Sequence, residues 1–212
     1  YSTAGTQTYT AKTGQNIDIT GTAATFTTTN DNIGFATAGV DLSNDGTTTI
    51  NTGTGAGTVT FGGAIETDGG DDDLLVVTSG AGNVTFTGAI GASDKELGGL
   101  SVNAAAGAGT ITFTSTIGDT SNNAGVVGIT TVGNAATAEM TFSSTDYSFD
   151  GAATITAADG DNIDMSSAVE FTTVADNITF ATGHIHLANQ ANLSVDTGAA
   201  GGNITIGGAI GG

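Results

Sequence analysis

The chain has 212 residues, of which 41 are Thr and 35 are Gly, and it contains no Pro, Cys or Trp. Two basic residues stand against 21 acidic ones, for a net charge of -19, so the chain lacks the basic surface that binds nucleic acid or anionic lipid. Without Cys it forms no disulfide or thiolate metal site, and its apolar runs are too short for a membrane-spanning helix.

The opening segment of the chain returns near its end. Residues 1–18 match residues 147–164 at an offset of 146, and residues 31–65 match residues 176–210 at an offset of 145 after one residue is lost. In the second stretch 16 of 35 positions are identical. Because apolar positions that differ stay apolar, as at Val40, Ile50, Val59 and Phe61, the match indicates duplication.

The duplication predicts how the chain is organised. Residues 1–146 form a first long repeat, and residues 147–212 form a partial second copy in a continuous solenoid. Because the chain begins at Tyr1 without Met or a leader, we expect a processed product or a window on a longer tandem array. A single protein with related ends around a distinct middle is the alternative.

A shorter repeat lies inside the first copy. An apolar residue, Thr and Phe occur together at positions 59–61, 84–86, 111–113 and 140–142, in unequal steps of 25, 27 and 29. Alternation places the first and third residues of each strand on one buried face. The predicted core ladder consists of Val59, Phe61, Val84, Phe86, Ile111, Phe113, Ile204 and Ile206.

These patterns predict an all-β protein. Strand-forming residues alternate with turns of Gly, Asn and Asp, helical periodicity is nearly absent, and residues 92–100 are interpreted as a loop. The steps favour a β-solenoid with coils of about 25–29 residues inside the repeat of about 146 residues; tandem β-sandwiches are the alternative. Since neither end carries a cap, we expect each end to meet a neighbouring repeat or subunit.

Residues 82–91 (GNVTFTGAIG) and 97–102 (LGGLSV) resemble the β-strand-repeat regions of giant bacterial surface proteins. Those regions are similar to filamentous-haemagglutinin and autotransporter-type adhesins. The resemblance implies a secreted, right-handed β-helical stalk that extends from the cell and supports adhesion or contact between cells.

Two acidic clusters are candidate calcium sites, because calcium takes six to eight oxygen ligands and tolerates flexible loops. The alternative is that these residues only form soluble turns. No other cofactor is predicted. The candidate ligands are Asp68, Asp71, Asp72, Asp73, Asp159, Asp161 and Asp164.

Other candidate sites are weaker. His184 and His186 alternate on one strand and could form a metal pair, although surface histidines are the preferred interpretation. No nucleophile elbow, phosphate loop or zinc motif is present, and we predict no enzyme. Outward Thr rows could bind ice or carbohydrate, but the unequal steps predict that the rows fall out of register.

Together these patterns predict a non-catalytic structural segment of an extracellular bacterial filament or adhesin stalk. The segment stacks end to end through strand edges, so its main partner is itself, with surface carbohydrate or other cells as further partners. The alternative is a separate self-polymerising filament or surface-layer subunit, which includes a surface-layer protein that uses calcium between subunits. Nucleic acid binding and membrane insertion are not expected.

Overall fold

The computed structural model describes residues 1–43, 45–69, 73–92, 94–119 and 124–212. Within these ranges, short alternating runs of Thr, Val, Ile and Phe form strands, the only helix is the 3-10 turn Ala188–Gln190, and no helix is long and apolar enough to cross a membrane. The strands are β1 (Ser2–Thr3), β2 (Gln7–Tyr9), β3 (Ile17–Thr20), β4 (Ala23–Thr28), β5 (Ile33–Phe35), β6 (Val40–Ser43), β7 (Thr47–Asn51), β8 (Val59–Phe61), β9 (Ile65–Thr67), β10 (Leu74–Thr78), β11 (Val84–Phe86), β12 (Gly99–Val102), β13 (Ile111–Phe113), β14 (Thr130–Val132), β15 (Met140–Phe142), β16 (Asp146–Phe149), β17 (Ala153–Ile155), β18 (Asn162–Met165), β19 (Val169–Thr173), β20 (Ile178–Phe180), β21 (His184–Leu187), β22 (Leu193–Asp196), β23 (Ile204–Ile206) and β24 (Ile210–Gly211).

The strands stack in parallel as a three-sided β-solenoid of about eight turns. Sheet I has the order β1-β4-β7-β10-β12-β14-β17-β20-β23, and sheet II has the order β2-β5-β8-β11-β13-β15-β18-β21-β24. Side III comprises β3-β6-β9 and β16-β19-β22, joined by single bridges through Ile65, Ile90, Ile117 and Tyr147. The predicted all-β solenoid is confirmed, and the sandwich alternative is wrong because successive coils pair in parallel.

Successive coils pair at the predicted positions. Val59 pairs with Val84, Val84 with Ile111, and Ile111 with Met140, which confirms the unequal steps between these strands. Other coils are shorter, as the pairing of Ile163 with Ile185 shows. The strands stay aligned because the extra residues enter the corner loops, where they do not disturb the ladders.

The predicted ladder residues of β8, β11 and β13 lie in a continuous apolar core and are at most 1% exposed. Five aromatic rings, Phe35, Phe61, Phe86, Phe113 and Phe142, stack along sheet II. Their centroids lie 4.9 to 5.3 Å apart and their planes differ by 2 to 9°, close to the spacing of neighbouring strands. The stack therefore follows from identical residues in register.

Ile204 and Ile206 occupy the last coil. They pair with Ile178 and Phe180 but remain 47% and 37% exposed. Their exposure arises because no described coil covers them.

The two copies of the long repeat correspond strand by strand, since β1 to β9 match β16 to β24 in order. Matching strands lie on different sides. The second-copy counterparts of sheet I strands lie on side III. The counterparts of sheet II strands lie in sheet I, and those of side III strands lie in sheet II. The long repeat is therefore one side short of a whole number of turns.

Local contacts follow the repeat despite this rotation. The Asn32 Oδ1 accepts the Thr58 N–H of the next coil at 2.9 Å, and in the second copy the Asn177 Oδ1 accepts the Asn203 N–H at 2.7 Å. The corner bond from Thr52 Oγ1 to the Gly57 carbonyl likewise returns as Thr197 to Gly202. The repeat therefore encodes strands and corners, whereas the phase of the coil decides the side.

The first residue of each copy shows what a covering coil does. Tyr1 is 77% exposed, whereas its counterpart Tyr147 is fully buried under the coil that contains Phe113. The Tyr147 hydroxyl accepts the Ser144 N–H at 3.0 Å, and burial raises the pKa of Tyr147 to about 12.

Because Tyr147 ionises at higher pH in the folded state than in the unfolded state, its contribution to stability is complete below pH 10.0 and is lost as the pH rises towards about 12. We expect Tyr147→Phe to cost about 1 kcal/mol near neutral pH through the lost hydrogen bond. The variant should also lose less stability than the parent above pH 10.0. Urea unfolding across that range tests both; parallel pH profiles would contradict the assignment.

Candidate functional site

The charged residues of the described strands are distributed unevenly among the three sides of the solenoid. Each of the six described strands of side III carries one acidic residue, whereas no described strand of sheet I carries any charged residue, and those of sheet II carry only Asp164. The side III set is Asp18, Asp41, Glu66, Asp146, Glu170 and Asp196.

The first acidic column runs through β3, β6 and β9. Asp18, Asp41 and Glu66 are aligned on adjacent strands, at the usual strand spacing of about 4.8 Å. Lys95 closes the column, with its Nζ 2.9 Å from the Glu66 Oε2, and this hydrogen bond and charge raise the pKa of Lys95. The pKa of Asp41 is raised by burial first and by its acidic neighbours, while Lys95 opposes the shift.

A raised pKa means that the folded state holds the Asp41 proton more tightly than the unfolded state does. Stability therefore falls as the pH rises from 3.8 through the raised pKa of Asp41. We expect Asp41→Asn to gain stability at neutral pH by no more than about 0.5 kcal/mol, since the position is at the surface. The gain should vanish in thermal melts below pH 3.8; a loss at neutral pH would contradict this account.

The second acidic column runs through β16, β19 and β22. Asp146 and Glu170 are aligned with Ser194, whose Oγ donates to the Glu170 Oε1 at 3.3 Å. These acids and Asp196 line a shallow groove of about 320 Å³. Side III therefore carries one column of carboxylates near each end of the solenoid, and the two columns together form its acidic strip.

The candidate calcium ligands are dispersed. Asp68, Asp159 and Asp161 are exposed and Asp73 is buried, while Asp71 and Asp72 lie outside the described residues. Where the structure describes the chain, no group of three or more acidic or His side chains is placed to hold a metal ion. The calcium site therefore stays a prediction.

The two histidines lie on sheet II. His184 and His186 point outward on either side of the buried Ile185, and the His186 Nδ1 lies 2.5 Å from the Asp164 Oδ1. Asp164, predicted as a calcium ligand, is thus engaged with a histidine of the next coil. These residues form a pair between coils.

The Thr rows are aligned, so the predicted loss of register is wrong. Thr60, Thr85, Thr112 and Thr141 lie opposite one another on sheet II. Thr131, Thr154, Thr179 and Thr205 do the same on sheet I. The unequal steps do not matter because the loops absorb them.

Sequence reasoning missed the segregation of charge. It assigned Asp to turns, although several acids alternate with apolar residues, as in Val40, Asp41 and Leu42. The signal was therefore present, but it could be read only once each strand had been placed on a side.

The comparisons with family models, curated proteins and solved structures give no match. The surfaces are interpreted from their own residues.

Proposed function

We propose that this chain is a non-catalytic structural segment of an extracellular bacterial filament or adhesin stalk, in which coils continue end to end through strand edges. Its role is mechanical: the inward ladders hold the rod, and the sides face the medium. The resemblance to repeat regions of bacterial surface proteins supports the location, and the solenoid supports the extended form.

The carrying observation is the contrast between the end coils and their counterparts within the chain. Ile204 and Ile206 are 47% and 37% exposed, whereas Val59 and Phe61 are 0% and 1% exposed. Exposed strand edges pair readily with further strands. A further coil on β23 would bury these side chains as β11 buries those of β8.

Electron microscopy of the purified chain tests the proposal. One chain spans roughly 40 Å at the strand spacing of nine rungs, so end-to-end stacking should give longer rods as concentration rises. Ile206→Asp should shorten them, because it places a carboxylate in the edge ladder. The control Thr112→Asp adds the same charge to an outward position of β13, the middle strand of sheet II, and should leave rod length unchanged.

The denatured mass of the native polypeptide separates two forms of the proposal. A mass many times 20.5 kDa supports a covalent array. A mass near 20.5 kDa with growing rods supports the alternative of a self-polymerising filament or surface-layer subunit, and dependence of growth on added calcium would support the calcium prediction. Compact particles, or a mass near 20.5 kDa with rods of a single length, would overturn end-to-end stacking.

A second candidate is binding to ice or crystalline carbohydrate by the Thr row of sheet II. The alignment of Thr60, Thr85, Thr112 and Thr141 favours it, because an ordered solid requires a regular array of hydroxyl groups. Thermal hysteresis or pelleting with crystalline polysaccharide that is lost in Thr85→Asp would support it. Their absence in the parent protein would remove it.

A further inference from the structure

Where the two copies differ in an acidic residue, the difference depends on the side of the solenoid on which each residue lies. At four matched outward strand positions, one copy has an acidic residue and the other has none. In each of these described pairs the acidic residue lies on side III and its counterpart lies on another side. The pairs are Thr25 with Glu170 and Asn51 with Asp196, from sheet I to side III, and Asp41 with His186 and Glu66 with Gly211, from side III to sheet II.

These substitutions offset the change of side between matching strands of the two copies. An unaltered second copy would bring Asp41 and Glu66 round to sheet II and would bring the uncharged Thr25 and Asn51 to side III. The acidic strip would then change side along the rod. Apart from Asp164, which matches Asp18 and keeps its charge on sheet II, the acidic residues stay on side III, so the charge pattern follows the sides of the molecule more than the repeat unit. Sheet I is uncharged on all nine described strands, because its second-copy strands match the uncharged strands of sheet II.

Sheet I also carries exposed apolar side chains in its central region. Leu74 is 41% exposed and Ile129 is 71% exposed. Between them lies Gly99, which pairs with Leu74 and is covered by it, since a Cβ at Gly99 would meet the Leu74 Cδ2 at 2.5 Å. Both lie midway along the solenoid, at the strand starts of an uncharged face, and exposed apolar side chains of this kind are typical of a contact surface.

Their arrangement is symmetric about the middle strand. β12 is the fifth of the nine strands of sheet I, with β10 on one side and β14 on the other. Leu74 begins β10, and Ile129 lies one residue before β14 in the same row, because Leu100 pairs with Thr130. A second copy turned over about β12 would place its Ile129 opposite Leu74 and its Ser101 opposite Ser101.

We propose that sheet I is a lateral self-association surface that takes a second, antiparallel copy of this chain, with Leu74 of each copy against Ile129 of the other. Two chains of net charge -19 repel one another through their acidic sides. Pairing through sheet I meets no charged strand residue. Neither side III strip enters the contact, and both strips lie along the same flank of the pair, beside the strand starts. Such a self-complementary interface is the usual form of a two-fold dimer.

The area of the face sets the strength of the contact. Nine strands at about 4.8 Å and a width of three to five residues give roughly 500 Å² per copy, below the roughly 800 Å² of a stable interface. The pair formed by isolated chains is therefore weak. It should strengthen with salt, because screening weakens the repulsion between acidic chains.

Cysteine cross-linking detects such a weak pair, and the chain has no native Cys. Ser101→Cys places a thiol at the centre of sheet I. Thr112→Cys, on the fifth strand of sheet II, is the matched control, because both residues are half-buried outward hydroxyls. We expect disulfide-linked dimers to form at least 10-fold faster with Ser101→Cys than with Thr112→Cys and to form faster at high salt; equal rates would overturn the proposal.

Two further variants separate this contact from end-to-end stacking. Leu74→Asp should abolish cross-linking through Ser101→Cys, whereas Ile206→Asp at the strand edge should leave it unchanged; the reverse would assign the association to the ends. A mixture of Leu74→Cys and Ile129→Cys proteins should give mainly mixed dimers, while homodimers would overturn the antiparallel arrangement. Failure of Ser101→Cys to cross-link, with pelleting on crystalline polysaccharide that Leu74→Asp abolishes, would assign sheet I to carbohydrate.

Discussion

Replacing Phe86 with alanine is expected to lower the free energy of unfolding by about 3–5 kcal/mol. Phe86 is 1% exposed, and its ring lies 5.2 Å from that of Phe61 and 4.9 Å from that of Phe113. Truncation removes both stacking contacts and leaves a void that the close-packed neighbours cannot fill. The expected loss is a large part of the roughly 5–15 kcal/mol that typically stabilises a folded domain.

Urea unfolding of Phe86→Ala measures this loss. Thr85→Ala is the matched control, because Thr85 belongs to the same strand but points outward, and it should change the free energy by less than about 1 kcal/mol. Since each coil contacts only its neighbours, amide exchange should accelerate first in β8, β11 and β13. A loss below about 1 kcal/mol in Phe86→Ala would show that the stack does not support the core.

Replacing Gly82 with alanine is expected to destabilise the protein by about 3 kcal/mol, at the upper end of the usual cost of overpacking. A Cβ at Gly82 would lie 2.0 Å from the Gly57 carbonyl oxygen of the preceding coil. That atom belongs to backbone, so relief requires separation of the coils and weaker hydrogen bonds between them. Gly109 faces the Gly82 carbonyl oxygen in the same way, at 1.9 Å, and should respond alike.

Gly34 provides the control for Gly82. It lies on the outer face of sheet II, and a Cβ there would have open space around it. Gly34→Ala should therefore be neutral or stabilising by up to about 1 kcal/mol, through a less flexible unfolded chain. Thermal unfolding of the two variants compares one chemical change at a crowded corner and on an open face; similar losses would refute the role of close coil contact.

The coil repeat could be predicted from sequence because three strands share one residue pattern. Val59, Val84 and Ile111 each begin an apolar-Thr-Phe run, and the structure pairs them in the predicted register. Inward positions are constrained by identical neighbours above and below, so the same residue types recur. Recurrence of this kind is visible without coordinates.

The arrangement of the sides could not be predicted in the same way. Corner loops vary in length, since Val84, Ile111 and Met140 are aligned on adjacent strands but are unequally spaced along the chain. Spacing alone therefore does not assign a strand to a side, and the unequal steps also led to the wrong expectation for the Thr rows. Outward residues such as Asp41 and Thr60 carry no packing constraint that would reveal their side.

The long repeat was found from sequence, but its rotation was not. Identity between Phe26 and Phe171 establishes correspondence, yet one residue lies on sheet I and the other on side III. Each ring still packs edge-on against the next aromatic ring of its copy, Phe35 or Phe180, at centroid distances of 5.5 and 5.2 Å. Local packing is therefore insensitive to the side on which it occurs.

The sorting of charge by side means that the overall charge is a poor guide to how this molecule meets a surface. At physiological ionic strength the surrounding salt screens the field of an exposed charge within about 8 Å, so the carboxylates of side III act mainly on whatever lies next to that side. A chain of net charge -19 thus still presents one side, sheet I, whose described strands carry no charged residue. The strand faces therefore differ in the counterions that they attract: side III gathers them along its carboxylates, whereas the described strands of sheet I offer no charged group.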